Sequence, residues 1–166
     1  MSYRTGMPRL FKTSVFPDDP WALPAPQQRV QARRRLLELL PGAHLDANTY
    51  EYLRWVGHGG SQRPRPRCPG CRRRLDERFL QRYHDSLPLE DPLRRTAPCC
   101  GAELAVNTQL RWPWETGHAR LVLQAMTRQR PPKARVIRAA MSATLGCPVR
   151  VYQEMPAGPG LLPIKG

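Results

Sequence analysis

Four of the five cysteines occur as two close pairs, and this feature constrains the fold more than any other. Cys68 and Cys71 bracket a Pro-Gly turn, and Cys99 and Cys100 are adjacent and followed by a glycine. A Cys-x-x-Cys turn points two sulfurs at one centre, and a second turn completes the tetrahedral shell of a metal ion. We therefore predict a structural zinc site formed by Cys68, Cys71, Cys99 and Cys100.

The second pair departs from the usual Cys-Pro-x-Cys-Gly knuckle, because its first cysteine has moved next to the last. A Cys-x-x-Cys pair is also the redox dithiol pattern, and adjacent cysteines can form a vicinal disulfide. No apolar strand precedes Cys68, which argues against thioredoxin-type chemistry. His58 or His84 is an alternative ligand if one of the adjacent cysteines points away. Cys147 is predicted to be a small buried residue.

Positive charge dominates the composition. The 166 residues include 27 Lys and Arg against 13 Asp and Glu, which gives a formal net charge of +14. Nearly all of this charge is arginine, and 19 prolines accompany it, a bias that a GC-rich genome also produces through its codons. Codon bias alone would scatter the arginines. Instead, eight of them flank the first cysteine pair: Arg63, Arg65, Arg67, Arg72, Arg73, Arg74, Arg78 and Arg82.

This arginine cluster predicts a polyanionic partner. Arginine is a good phosphate ligand, and a strongly basic domain is typical of nucleic-acid binding. A zinc knuckle would hold these side chains against one surface, so we predict binding of RNA or the ribosome. The alternative is an adaptor or subunit of a larger assembly, in which the same arginines pair with carboxylates of an acidic protein surface. A merely solvated arginine face is the third possibility.

Catalytic signals are scarce in the sequence. It contains no phosphate loop, nucleophile elbow or His-Glu-x-x-His motif. Four cysteine ligands also leave no open metal position for a substrate. We predict a non-catalytic role, with a cleft that no motif reveals as the alternative. No apolar stretch approaches the length of a membrane span, and we expect a cytoplasmic protein whose thiols stay reduced.

Composition divides the chain into five parts. Residues 61–101 are rich in arginine, proline and cysteine and are predicted to form a zinc-binding insert. The flanking parts are an N-terminal tail (1–9), the two halves of an α+β domain (10–60 and 102–153) and a flexible C-terminal tail (154–166).

Hydrophobic periodicity and turn residues predict the elements of this domain. Gly146 is expected to end the last helix as a C-cap. The predicted strands are 10–16, 44–56 (or a hairpin turning at 46–48), 103–112 and 149–152, and the predicted helices are 26–40, 76–84, 118–126 and 134–145. This order is typical of two β-α-β halves that build one antiparallel sheet with helices on one face. We predict a ferredoxin-like α+β sandwich with a zinc-ribbon-like subdomain inserted between the halves.

Several runs in the last two thirds of the chain are similar to a group of small uncharacterised actinobacterial proteins. These runs are PCCGAE at 98–103, LRWP at 110–113, GHARLVL at 117–123 and LGCPVRV at 145–151. The group also carries a Cys-Pro-x-Cys pair upstream, as this chain does at Cys68 and Cys71. The resemblance implies a domain with paired, zinc-ribbon-like cysteines, and it implies no particular activity.

Overall fold

The chain has a mixed α+β architecture, which confirms the predicted class. The computed structural model describes residues 10–57, 65–76, 94–105, 110, 116–157 and 160–163. The elements in these ranges are, in chain order, β1 (Phe11–Pro17), α1 (Pro26–Leu39), β2 (His44–Val56), β3 (Arg94–Thr96), β4 (Glu103–Ala105), β5 (Gly117–Thr127), α2 (Ala134–Leu145), β6 (Val149–Ala157) and β7 (Gly160–Pro163). Among the described helices, neither is long and apolar enough to cross a membrane.

Five strands form one sheet in the order β2-β5-β1-β6-β7, and each neighbouring pair is antiparallel. The helix α1 joins β1 to β2, although β5 lies between these two strands. In the same way α2 joins β5 to β6, with β1 between them. Strands connected through a helix are therefore never neighbours, and the two halves of the chain interleave in the sheet.

Both helices pack on one face of this sheet and form the main core with it. Leu36 of α1 and Met141 of α2 are fully buried. They share a hydrophobic cluster with Val15, Leu123 and Val151 from the three central strands. Burial of this apolar surface is the dominant stabilising term for such a layer packing.

The observed helix ends agree with those predicted from Pro26 and Gly146. Pro26 is the first residue of α1, and the side-chain oxygen of Gln28 accepts a hydrogen bond of 2.9 Å from the N–H of Ala25. Proline suits this position because its missing N–H has no partner inside the helix. The other helix, α2, ends at Gly146 with φ +69°, which confirms the predicted C-cap.

The sequence predicts a helix over 118–126, and this prediction is wrong. These residues belong to β5, whose buried residues alternate with partly buried ones. Leu121 and Leu123 face the helices, whereas Val122 and Met126 lie on the opposite face of the sheet. A central strand carries apolar residues on both faces, so the alternation is hidden and a helical stripe is mimicked.

The strand β2 is a single element of 13 residues, so the alternative of a hairpin at 46–48 is excluded. His44 to Thr49 pair in continuous register with Met126 to Leu121. The register shifts only between Thr49 and Arg54. The long strand therefore spans the sheet from the end where α1 stops to the end where the cysteines lie.

The C-terminal part of the chain differs from the expected flexible tail. β6 continues to Ala157, and its last residues pair with β7, with Glu154 opposite Pro163. Residues 154–157 and 160–163 thus form a hairpin, and β7 becomes an edge of the sheet. Of the other predicted elements, the helix at 76–84 lies largely outside the described residues, and the strand at 103–112 is described as strand only in β4.

The paired strands β3 and β4 carry the second cysteine pair between them. This two-stranded unit packs on the main sheet through a second hydrophobic cluster. Leu53 of β2 and Trp21, from the loop after β1, contribute to the same cluster as Cys68 and Leu104. The main sheet therefore supplies the surface on which the cysteine-bearing segments rest.

The neighbours Leu36 and Leu37 provide a matched test of the core. Leu36 is 0% exposed and Leu37 is 40% exposed. We expect Leu36→Ala to lower the free energy of unfolding by about 2–5 kcal/mol, because it leaves a cavity in a close-packed layer. Leu37→Ala should change it by less than about 1 kcal/mol. Urea denaturation followed by circular dichroism measures both, and equal losses would contradict the packing described here.

Candidate metal centre

Four cysteine sulfurs converge on one point. The Sγ atoms of Cys68, Cys71, Cys99 and Cys100 all lie within 4.8 Å of one another, and all four thiols are free. The Cys68 and Cys100 sulfurs are 3.7 Å apart, and those of Cys71 and Cys99 are 3.2 Å apart. Two sulfurs at about 2.3 Å from one tetrahedral zinc ion lie about 3.8 Å apart. The set therefore fits a tetrahedral metal ion, and the predicted convergence of the two pairs is confirmed.

The first pair is held by a tight turn, residues 68–73, which we call the first knuckle. The N–H of Cys68 donates to the carbonyl of Arg73, and the N–H of Arg72 donates to the carbonyl of Cys68, both at 2.9 Å. Arg72 has φ +62°, a left-handed conformation that side chains other than glycine rarely adopt. The turn is closed behind the knuckle by an antiparallel bridge between Arg67 and Arg74.

The second pair lies in a turn of the same construction, residues 97–102, which we call the second knuckle. The N–H of Ala97 donates to the carbonyl of Ala102, and the N–H of Gly101 donates to the carbonyl of Ala97, both at 2.8 Å. Gly101 has φ +72°. The hydrogen bonds and the left-handed residue thus occupy equivalent positions in the two knuckles.

This equivalence shows how the position of Cys99 departs from the regular Cys-x-x-Cys spacing. Ala97 stands where Cys68 stands in the first knuckle, and Cys99 stands where Gly70 stands. A Cβ added at Gly70 would lie 3.5 Å from the Cys100 sulfur and 3.7 Å from the Cys68 sulfur. A side chain at this position of a knuckle therefore lies beside the sulfurs, which is why a cysteine at the equivalent position 99 reaches the cluster.

The four thiols differ in their exposure. Cys68 is fully buried, Cys71 and Cys99 are partly buried, and Cys100 is exposed. The buried side rests on the second hydrophobic cluster, which includes Leu75, two residues after the first knuckle. One edge of the cluster of sulfurs therefore faces solvent, and the opposite edge is sealed by apolar side chains.

Neighbouring dipoles change the acidity of these thiols. Burial by itself raises the pKa of Cys68, but the N–H groups of Cys71 and Gly70 donate to its sulfur and, with the neighbouring thiols, lower its pKa to about 7. The contact with Cys71, followed by burial, raises the pKa of Cys99 to about 12. Backbone N–H groups aimed at sulfur stabilise a thiolate, which is the form that binds a metal.

Arginines surround the first knuckle on its solvent side. The structure describes five of the eight predicted binding residues, and all five are exposed: Arg65, Arg67, Arg72, Arg73 and Arg74. The guanidinium of Arg67 folds back and donates to the carbonyl of Arg72 at 3.1 Å. The remaining predicted residues lie outside the described part of the chain: Arg63, Arg78 and Arg82, together with the alternative ligands His58 and His84.

The residues that seat the knuckles were missed by sequence reasoning. Trp21 packs in the second hydrophobic cluster, and the guanidinium of Arg120 lies 5.9 Å from the centre of its ring. Arg120 also donates to the carbonyl of Tyr50 at 3.0 Å. No motif marks these residues, because their partners are distant in sequence. An isolated tryptophan in a proline-flanked loop was the only available signal.

Cys147 takes no part in the cluster. It is partly buried and packs against the main core, so the prediction of a small core residue is met only in part. Burial and the nearby charge of Asp19 raise its pKa. A thiol of this kind is protonated at neutral pH and is a poor metal ligand.

Comparisons with known proteins identify no relative. No protein-family model, no curated protein and no solved structure matches the chain.

Serine substitutions test the four-thiol assignment. We expect Cys68→Ser and Cys100→Ser each to lose most of the bound metal, because an alcohol is a far weaker ligand than a thiolate. Cys147→Ser is the matched control and should retain about one metal ion per chain. Elemental analysis of protein purified with and without added zinc measures this. Full metal content in either knuckle variant would refute a four-cysteine site.

The moved thiol can be returned to its regular position. Cys99→Gly alone should lose metal, because it leaves three thiols. The double variant Ala97→Cys, Cys99→Gly gives the second knuckle the ligand positions of the first, and we expect it to regain about one metal ion per chain. Competition with a chromophoric chelator compares the affinities. If the double variant binds no better than Cys99→Gly, the two knuckles are not equivalent.

Proposed function

We propose that this protein is a non-catalytic, zinc-stabilised RNA-binding module of the cytoplasm, with the ribosome among its candidate targets. The observation that carries the proposal is the knuckle itself. The segment that supplies two thiols also presents five exposed arginines, Arg65 to Arg74, on a backbone fixed by hydrogen bonds. A metal ion that orders the knuckle also orders the arginines.

Zinc is the metal that fits this donor set best. Four thiolates in a tetrahedral arrangement select zinc or iron, and zinc is the usual ion of closed structural sites. Four thiolates around a divalent ion leave a net charge of about −2. The flanking guanidinium groups offset this charge, and the excess of positive charge remains available for a polyanion.

The finer fold assignment belongs to the same proposal. The sheet order β2-β5-β1-β6, with helices joining non-adjacent strands, supports a ferredoxin-like fold to which β7 adds an edge strand. Two equivalent knuckles, each at the tip of paired backbone segments, support a zinc-ribbon-like insert. We also propose kinship with the small actinobacterial proteins that share the paired cysteines.

RNA is favoured over a protein surface at the knuckle because of the kind of side chains exposed there. The described residues around the first knuckle present arginines without an exposed large apolar residue among them. Protein interfaces centre on apolar and aromatic residues, whereas contacts to nucleic-acid backbones are dominated by Arg and Lys. A closed shell of four cysteines also leaves the metal no position for substrate, which supports a role without catalysis.

Removal of knuckle charge tests the proposal. Arg72, Arg73 and Arg74 are replaced together by glutamine, which keeps a β-carbon at Arg72 and so leaves the left-handed turn unchanged. We expect the affinity for a fluorescein-labelled single-stranded RNA to fall at least about tenfold, and the slope of log K against log salt to decrease by about 2, since each phosphate contact contributes about 0.7. Fluorescence anisotropy over a salt series measures both quantities.

A charge-matched control separates the knuckle from overall charge. Arg128, Arg130 and Arg135 are exposed, lie outside the knuckles and are replaced by glutamine in the control variant. Its affinity should change by less than about threefold at moderate salt. Zinc content should be unchanged in both variants. Equal loss of affinity in the two variants, or no RNA binding by the wild type, would overturn the proposal.

A further inference from the structure

A groove of about 280 Å³ runs between α1 and the edge strand β2, on the helix-covered side of the sheet. Its floor is apolar and includes Leu121 and Leu123 of β5. Its helix wall carries Val30, which is 51% exposed although it is a large apolar residue. An exposed valine over an apolar floor marks a surface that is stabilised when a partner covers it.

Two arginines on the helix wall give this groove a positive charge. Arg29 and Arg33 line it, and no acidic residue is among its lining residues. In the described part of the chain, no carboxylate pairs with either guanidinium, and the buried Nε atom of Arg29 has no hydrogen-bond partner. A buried donor without an acceptor is unfavourable, and a guanidinium group pairs well with a carboxylate.

The strand that supplies the other wall of the groove, β2, also has a free side. β2 stands at the end of the sheet and pairs only with β5 among the described strands. From His44 to Thr49 its pairing with β5 is regular. One row of backbone N–H and C=O groups along this stretch therefore points away from the sheet, where an extended peptide can add a further strand.

We infer that this groove binds an extended segment of a partner protein that carries two carboxylates at alternate positions. Four residues of helix, the spacing from Arg29 to Arg33, advance about 6 Å along the axis. Two residues of an extended strand advance about 6.6 Å. Side chains at positions i and i+2 of an added strand lie on the same face and match the two guanidinium groups. An apolar side chain further along that face would cover Val30.

Charge argues against the other occupants of the groove. A second copy of this chain, paired strand to strand through β2 about a twofold axis, would bring its own Arg29 and Arg33 to the same seam. That arrangement sets like charges against each other. RNA would satisfy the arginines but would leave the apolar floor and the strand edge without suitable contacts. An acidic extended polypeptide with one apolar side chain pairs with the arginines, covers Val30 and adds to the strand edge.

The test uses an end-blocked, fluorescein-labelled peptide of sequence Thr-Glu-Thr-Glu-Thr-Leu-Thr and the full-length protein. We expect binding that is weakened at least about fivefold by Arg29→Gln and by Arg33→Gln. Arg34→Gln is the matched control, because Arg34 is exposed on the same helix but does not line the groove. The affinity of Arg34→Gln for the peptide should stay within about twofold of that of the wild type. A second peptide, with both glutamates replaced by glutamine, should bind the wild-type protein weakly. Its affinity should be about that of the original peptide for Arg29→Gln or Arg33→Gln.

Two further measurements address the strand edge. A peptide methylated at alternate backbone nitrogens loses its donors on one side and should not bind. Amide hydrogen exchange at residues 44–49 should slow in the presence of the unmodified peptide.

The inference is overturned if the methylated peptide binds equally well, if Arg34→Gln weakens binding as much as Arg29→Gln, or if the wild type binds no peptide. Slow exchange at 44–49 without peptide, together with a dimer in sedimentation, would instead assign the groove to a second copy. RNA binding by the knuckle is scored separately and does not affect this result.

Discussion

The convergence of four thiols on one point is the constraint on which the two knuckles depend. The two knuckles are separated by the 27 residues between Cys71 and Cys99, yet their four sulfur atoms lie within 4.8 Å of one another. The apolar cluster beneath them is small, with six buried members. Such a cluster offsets little of the conformational entropy lost when both segments are ordered. A metal ion held by the four thiols would supply the remaining stabilisation, and in sites of this kind the binding free energy is also folding free energy.

The predictable parts of the structure were those fixed by short-range chemistry. The thiol spacing predicted the cluster, because a Cys-x-x-Cys turn has few ways to place its sulfurs. Pro26 and Gly146 predicted helix ends correctly, because each suits a specific backbone conformation. The strand β5 was mistaken for a helix, because a strand with both faces covered lacks the alternation that identifies it. Neither Trp21 nor the groove beside α1 was predictable, because both depend on contacts between distant segments.

The equivalence of the knuckles explains an irregularity that the sequence alone left open. Cys99 beside Cys100 appeared to disturb the second turn, yet the hydrogen bonds of that turn match those of the first. The constraint is the position of the sulfur and not the position of the residue. Because a side chain at the third place of a knuckle lies beside one sulfur of each knuckle, a thiol can occupy that place without a change of backbone.

The main core and the second hydrophobic cluster have no buried residue in common, and this separation bears on how the protein would respond to the loss of a bound metal. The main core joins α1, α2 and the central strands, whereas the second cluster joins the knuckles to Leu53 of β2. Contact between them passes through the strand and not through shared side chains. Loss of a bound metal would therefore act first on the knuckles and their arginines, while the sheet and the groove beside α1 would keep their own support. Proteins commonly open in such contiguous units, with free energies below that of global unfolding. The arginine surface can be lost locally, whereas the groove persists as long as the domain is folded.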